Sequence, residues 1–576
     1  MISHKRLLHP ASVFAIFLLC CLPAIAQTSS AQAEKPGTIS GRVVNESGRP
    51  LPNAIITLRR VGSMTPENIN ATTDREGKFE VSGLPRMSYQ IFAFLQGYAP
   101  LLRTDLDDTK AGVYRVGDSV TLVLTKGGVI TGTVTNQAGE PVVGITVRVL
   151  MVHTANTLSY PYNLIGPSDL TDDRGIYRIY GLPEGTYVAW AGGGESRFTP
   201  NEDPFASDVP TYAPASPRDT AQEIVVRAGV ESNGVDIQYR GESGHTVSGT
   251  ASGPNSDKSI GFAVNLVSAS GVQASVRSGQ GPNDRGFMFQ GVDDGDYNIS
   301  ALSVRQDGEW MLSAAKQIKV RGADLSGVEL VVQPLSSVTG RVILEEIKTT
   351  ECSDKQRPVF TETVVSAQNA SDTLAGIPWP FGTVNADEQG NILLKNLPPG
   401  RYYFNTQYFA KDWYLKSLSF VSSETASTKA GKTLDAARTW TTLKPGDRLN
   451  GLTITLAQGA ASLRGQIALS QGETRAQKLY VYLIPAEREM VDDPLRFYGA
   501  AVTADGKIAL NNVAPGRYLV FAQEVTDESV SPLTRLRSPD ETAYRSRLHR
   551  KAVTVNAEIE LKSCQKAADL KVRVSL

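Results

Sequence analysis

Cysteine and histidine are scarce in this chain, and long apolar runs and any excess of one charge are missing. Four cysteines occur in 576 residues, two of them within the first 26, which leaves Cys352 and Cys564 for the remainder. A disulfide framework of the kind that holds small secreted domains is excluded, so packing must stabilise each folded unit. Of five histidines only His153, His245 and His549 lie beyond residue 26. None has a glutamate three positions on, and no His-Glu-x-x-His occurs, so the ligand set of a zinc carboxypeptidase is missing. A Gly-x-Ser-x-Gly elbow is also absent, which removes the usual signature of a Ser-His-Asp hydrolase. Lysine plus arginine number 58 against 59 acids, so no basic field exists to attract nucleic acid or anionic lipid. No segment approaches the roughly 20 apolar residues that a membrane-spanning helix needs.

The N-terminus carries a different signal. A basic head with Lys5 and Arg6 precedes an apolar stretch from Ala11 to Leu22, and Ala24-Ile25-Ala26 follows as a small-x-small exit. This is the pattern of a secretory signal over residues 1–26, with 27–36 as a linker. Its removal takes the net charge from −1 to −3, still nearly neutral. The expected location is exported: periplasm, cell surface or extracellular. The length demands several domains, and 51 glycines and 31 prolines spread along the chain suit many short strands and tight turns.

A pattern recurs five times. Thr73-Asp74-Arg-Glu-Gly77 leads to Phe79, Val81, Gly83-Leu84-Pro85 and Tyr89; Thr171-Asp172-Asp-Arg-Gly175 leads to Tyr177, Ile179, Gly181-Leu182-Pro183 and Tyr187. Counterparts run from Gly286 to Tyr297, from Asp387 to Tyr402 and from Asp505 to Tyr518, and the marker tyrosines lie 98, 110, 105 and 116 residues apart. Asp bonds its own backbone and Gly tolerates positive φ, so each copy predicts a turn followed by a strand with one buried face, read here as a hairpin. Each copy is preceded by a strand with a central glycine (Gly41, Gly132, Gly249, Gly340, Gly465) and followed by a closing alternating strand.

Seven or so short strands per 100 residues predict an all-β chain, a tandem array of about five antiparallel, immunoglobulin-like β-sandwich modules. The boundaries are 37–125, 126–242, 243–334, 335–457 (aromatic-rich) and 458–576. One short helix is expected at 539–552, with Ser538 as N-cap and Glu541 completing a capping box. Closing and opening strands nearly abut, which predicts a stiff rod.

The opening Gly-Thr-Ile-Ser-Gly-Arg-Val from Gly37, the Gly48-Arg-Pro-Leu-Pro-Asn-Ala54 segment and the Thr-Asp-x-x-Gly-x-Phe…Gly-Leu-Pro…Tyr run together resemble the carboxypeptidase regulatory-like domain. The resemblance is best over the first two modules, residues 37–240. It implies a transthyretin-like (prealbumin-like) sandwich within a carbohydrate-binding-like set of folds, and an accessory role outside the cytoplasm without chemistry of its own.

Two features go beyond this framework. Residues 379–420 hold ten of the chain's 42 aromatics. Trp379, Phe381, Tyr408, Trp413 and Tyr414 form the candidate ligand platform, because exposed rings stack on sugars and adjacent aromatics cannot share one core; ordinary strand packing is the competing explanation. Cys352 and Cys564 are expected to pair in an oxidising compartment and to tie the C-terminal segment to the fourth module. No catalytic, cofactor or metal site is expected. The reading is a non-enzymatic exported protein with a glycan or an envelope protein as its partner: a carbohydrate-binding accessory or, alternatively, a rigid spacer or scaffold, with a glycoside hydrolase or cryptic peptidase ranked last.

Overall fold

The computed structural model describes residues 37–62, 68–100, 112–152, 168–193, 204–254, 259–268, 273–278, 285–305, 308–347, 352, 356–370, 382–421, 433–468, 479–503, 506–524 and 532–573. The expected secretory segment 1–26, Trp379 and Phe381 lie outside them. The described chain is almost entirely β, and its buried side chains gather into five successive module cores.

The first module stacks two four-stranded sheets. One has the spatial order Lys78–Leu84, Gly37–Asn45, Ser119–Lys126, Tyr98–Pro100; the other runs Ile69–Thr72, Ile55–Arg60, Ser88–Phe94, Val113–Arg115. Period-two alternation turns Ile39, Val43, Phe79 and Val81 of one sheet toward Ile56, Leu58, Tyr89 and Ile91 of the other. The second, fourth and fifth modules repeat this two-layer plan. The third departs from it. Its strand Trp310–Ser313 pairs with both Gly295–Arg305 and Leu325–Pro334, so eight strands join into one continuous sheet around the core.

In every module the opening strand lies between the strand after the Asp/Gly turn, which runs antiparallel to it, and the closing strand, which runs parallel. The sandwiches are therefore mixed, with a parallel pair within otherwise antiparallel sheets. This pairing explains the central glycine. A Cβ at Gly41 would collide with the carbonyl oxygen of Val120, and one at Gly132, Gly249, Gly340 or Gly465 with that of Val235, Val328, Leu452 or Leu570. The closing strand's backbone comes too close for any side chain.

The repeated turns do not make hairpins. The strand before the Asp/Gly turn (Ile69–Thr72) and the strand after it (Lys78–Leu84) belong to opposite sheets, as do Lys78–Leu84 and Ser88–Phe94 across the Gly-Leu-Pro turn. Both turns carry the chain from one layer to the other. Alternation reports which face is buried but not which strand is the neighbour, and the strand after the turn pairs with the opening strand instead. The aspartate still acts as expected: Asp172 Oδ1 accepts from the amides of Ile176 at 2.8 Å and Arg174 at 2.9 Å, which holds its carboxyl below the usual range.

The marker tyrosines pin the second corner. Each phenol donates to the carbonyl four residues upstream: Tyr89 to Pro85 (2.9 Å), Tyr187 to Pro183 (2.9 Å), Tyr297 to Asp293 (2.9 Å), Tyr402 to Pro398 (2.7 Å) and Tyr518 to Ala514 (2.8 Å). The corner's left-handed residue is Gly83, Gly181, Gly291, Asn396 or Asn512, with φ between 57° and 76°. Glycine and asparagine alternate there because both tolerate that backbone region.

The C-terminal helix differs from expectation at both ends. A short helix Pro532–Arg537 and a 3-10 turn Pro539–Glu541 precede the main helix Thr542–Val555, and the Ser538 side chain caps nothing. The buried Arg545 does the joining: its guanidinium donates to the carbonyls of Leu536 (3.1 Å) and Ser538 (2.6 Å). Asn556, at φ 51°, ends the helix in a left-handed cap.

Linkers are minimal, with Gly127 alone between the first two modules and Leu335 alone between the third and fourth. Residues Pro36–Leu576 form one compact unit, in which the first module packs against the fourth.

Candidate functional site

Two of the five candidate platform residues, Trp413 and Tyr408, are folded inward. Trp413 opens the strand Trp413–Val421 with no exposed surface, and Tyr408 is buried with its hydroxyl on the Trp413 carbonyl at 3.3 Å. Burial pushes the Tyr408 phenol well above its usual range. Tyr414 is half-buried and packs against the core of the fifth module, while Trp413 belongs to the core of the fourth. Adjacent aromatics indeed cannot share one core, but here each face of the strand has its own. Tyr402 and Tyr403 divide in the same way: Tyr402 enters the fourth core, and Tyr403 meets Trp440 edge to face at 5.6 Å on the other side. Trp413 and Tyr408 therefore offer no surface on which a sugar ring could stack. Trp379 and Phe381 lie outside the described residues.

These faces belong to the junction of the fourth and fifth modules, and it is extensively bonded. Cys352 and Cys564 form the expected disulfide, with Cα atoms 4.9 Å apart. Buried Asp412 stands beside the sulfurs, but their bond to each other leaves no thiolate for a metal. Asn512, the left-handed corner residue of the fifth module, donates its side-chain amide to the carbonyls of Ala410 (2.7 Å) and Trp413 (2.8 Å). The amides of Gly459 and Ala460 donate to the Asp412 carbonyl at 2.8 and 3.0 Å. Trp440 Nε1 donates to Asp540 at 2.7 Å, and Leu495 of the fifth module enters the fourth core.

The first and fourth modules meet at a charged clasp. Glu362, on the 3-10 turn Phe360–Glu362, is buried, and its carboxylate receives Arg86 Nε at 2.9 Å and an Arg115 Nη at 3.4 Å. Ser88 Oγ, fully buried, donates to the Glu362 carbonyl at 3.0 Å, and the Arg115 guanidinium lies 5.1 Å from the centre of the Phe409 ring. Gly62, at φ 74°, fits against the Thr383 backbone, where a Cβ would stand 2.6 Å from the carbonyl oxygen. No sequence pattern marks these residues, since each is an ordinary polar or small residue within a turn or strand of its own module.

The second and third modules join through a backbone bond, in which the Gly244 amide donates to the Ser207 carbonyl at 2.9 Å. There His245 Nε2 faces Asp294 Oδ1 at 3.3 Å. At the next junction, Arg448 of the fourth module reaches Glu309 of the third at 3.0 Å. Among the described residues no helix is long and apolar enough to cross a membrane.

No curated protein matches the chain. Among solved structures, similarity is found to the minor pilin GBS52 of Streptococcus agalactiae at 12% identity, covering 35% of this chain and 96% of that one, with a TM-score of 0.19. The major pilin subunit BcpA of Bacillus cereus matches at 10% identity over 74% of this chain and 100% of that one (TM-score 0.12), and the major pilin SpaD of Corynebacterium diphtheriae at 8% over 74% and 98% (TM-score 0.14). At such TM-scores these similarities carry no argument about arrangement or activity. The family model of the carboxypeptidase regulatory-like domain matches residues 38–123, the first sandwich with its glycine, Asp/Gly turn and tyrosine corner. Residues 38–123 are thus similar to the carboxypeptidase regulatory-like domain family.

Proposed function

We propose that this chain is an exported, non-catalytic scaffold of the cell envelope, whose sandwich modules hold one another in fixed positions. The observation that supports this most is the bonding of the module junctions. Flexible beads on a chain would meet through solvated linkers. Here a disulfide, a buried carboxylate with two arginines, and an asparagine amide on two backbone carbonyls sit at contacts between modules. Burying such groups is costly unless their partners are held in place, so they favour a single arrangement. The secretory pattern at residues 1–26 supports export, and the burial of Trp413 and Tyr408 weighs against the carbohydrate-binding alternative.

The test uses the chain from residue 27 on. Fractionation of the producing cell is expected to find it outside the cytoplasm, and a panel of immobilised glycans and peptidoglycan fragments is expected to retain none of it. Limited proteolysis is expected to spare the module junctions. Specific glycan capture, or rapid cleavage at Gly127, Leu335 or Gly459, would contradict the proposal.

A further inference from the structure

The place where the first module meets the fourth also contains an open crevice of about 510 Å³. Met87 lines it from the first module, and the fourth supplies Thr361 and residues between Val384 and Leu393. Two polar atoms of the lining residues have no hydrogen-bond partner. Asn385 is 8% exposed; its amide nitrogen donates to the Thr361 carbonyl at 2.8 Å, which fixes the orientation of the amide and leaves Oδ1 as a buried acceptor without a donor. Thr361 Oγ1 is likewise buried and unpartnered. Buried polar groups are nearly always hydrogen-bonded, so two orphans at one crevice are unusual.

The remaining lining narrows the chemistry. Asp387 and Glu388 bring exposed carboxylates, and among the described residues no lysine or arginine lines the crevice. Asp387 already receives the amides of Gln389 and Asn391, whereas Glu388 faces solvent. Met87, Val384 and Leu393 give apolar surface, and among the described residues no aromatic ring lines the crevice. We propose that this crevice binds an alkylammonium group. Its aliphatic stem would lie along Met87, Val384 and Leu393, and its ammonium would supply donors to Asn385 Oδ1 and Thr361 Oγ1 in the field of the two carboxylates. The group would come from a free amine or from a lysine side chain of a partner. The inference goes beyond the scaffold role and does not depend on it.

Calorimetric titration of the chain from residue 27 with n-butylammonium chloride tests this, with n-butanol as the uncharged control and an end-blocked lysine peptide as the second probe. Butylammonium is expected to bind saturably and butanol not at all. Glu388→Gln, at an exposed position, is expected to weaken binding about threefold, and Thr361→Val, close in shape, about tenfold. Tighter binding of the peptide than of butylammonium identifies a protein segment as the source, and weaker binding a free amine. Absence of saturable binding by either amine would overturn the proposal, as would affinities unchanged in both variants while thermal unfolding matches the parent chain.

Discussion

Glu362 and Arg86 stand 276 residues apart in sequence and 2.9 Å apart in space, and the carboxylate that joins them is 4% exposed. Arg115, at the end of the strand Val113–Arg115, completes the arrangement from the same module. This contact ties the first module to the fourth across the two modules that separate them in the sequence.

Removing the carboxylate isolates that contact. Glu362→Leu is expected to cost about 1–3 kcal/mol, below the full value of a buried pair because both arginines are partly solvated. The loss should lie at the junction: hydrogen exchange is expected to rise around Ser88 and Thr383, while the amides of the fifth module stay protected. Uniform loss of protection across the chain would contradict a local role.

The tyrosine corner makes a second prediction. Tyr402→Phe keeps the ring but leaves the Pro398 carbonyl without its 2.7 Å donor, at a cost of about 1–2 kcal/mol. Denaturant unfolding of the fourth module should move to lower urea by that amount. An unchanged midpoint would mean that the hydroxyl only fills space.

Gly340 should not tolerate even a methyl group. A Cβ there meets the carbonyl oxygen of Leu452 on the closing strand, so Gly340→Ala is expected to cost about 1–3 kcal/mol or more through forced separation of the parallel pair. The same substitution at Gly139, where a Cβ meets nothing but φ is 81°, should cost less. Equal costs at the two positions would refute the close-approach explanation.

Alkali should unfold the modules through the same tyrosines. Burial pushes the Tyr402 hydroxyl from 10.0 up to about 12, against a small opposing pull from Asn369, and burial raises Tyr89, Tyr187, Tyr297 and Tyr518 as well. The folded chain keeps these protons where the unfolded chain releases them. Their contribution is therefore intact below about pH 10 and declines as pH rises through the folded values. Absorbance of tyrosinate should rise together with loss of β-sheet dichroism above about pH 10, rather than before it.

Much of a single module was legible in the sequence. The recurring Asp/Gly turn, the alternating strand and the tyrosine gave the sandwich and its repeat, because these local demands on the backbone admit few residues. The neighbour of each strand was less legible: Phe79 and Val81 show a buried face, but nothing in them shows that Gly41 lies alongside. The junctions were hidden for a further reason. Arg86, Arg115 and Glu362 look like solvated charges, and Trp413-Tyr414 looks like an exposed pair, until a second module covers the other face of their strand. The disulfide was the exception, since only two cysteines were left to pair.

Small-angle scattering by the chain from residue 27, beside a Glu362→Lys variant, tests most directly whether the modules are held in a doubled-back arrangement. The parent chain is predicted to give a compact distance distribution, and the variant a longer one as the first module swings away from the fourth. A parent distribution already as long as five sandwiches end to end, unchanged by the substitution, would contradict the account.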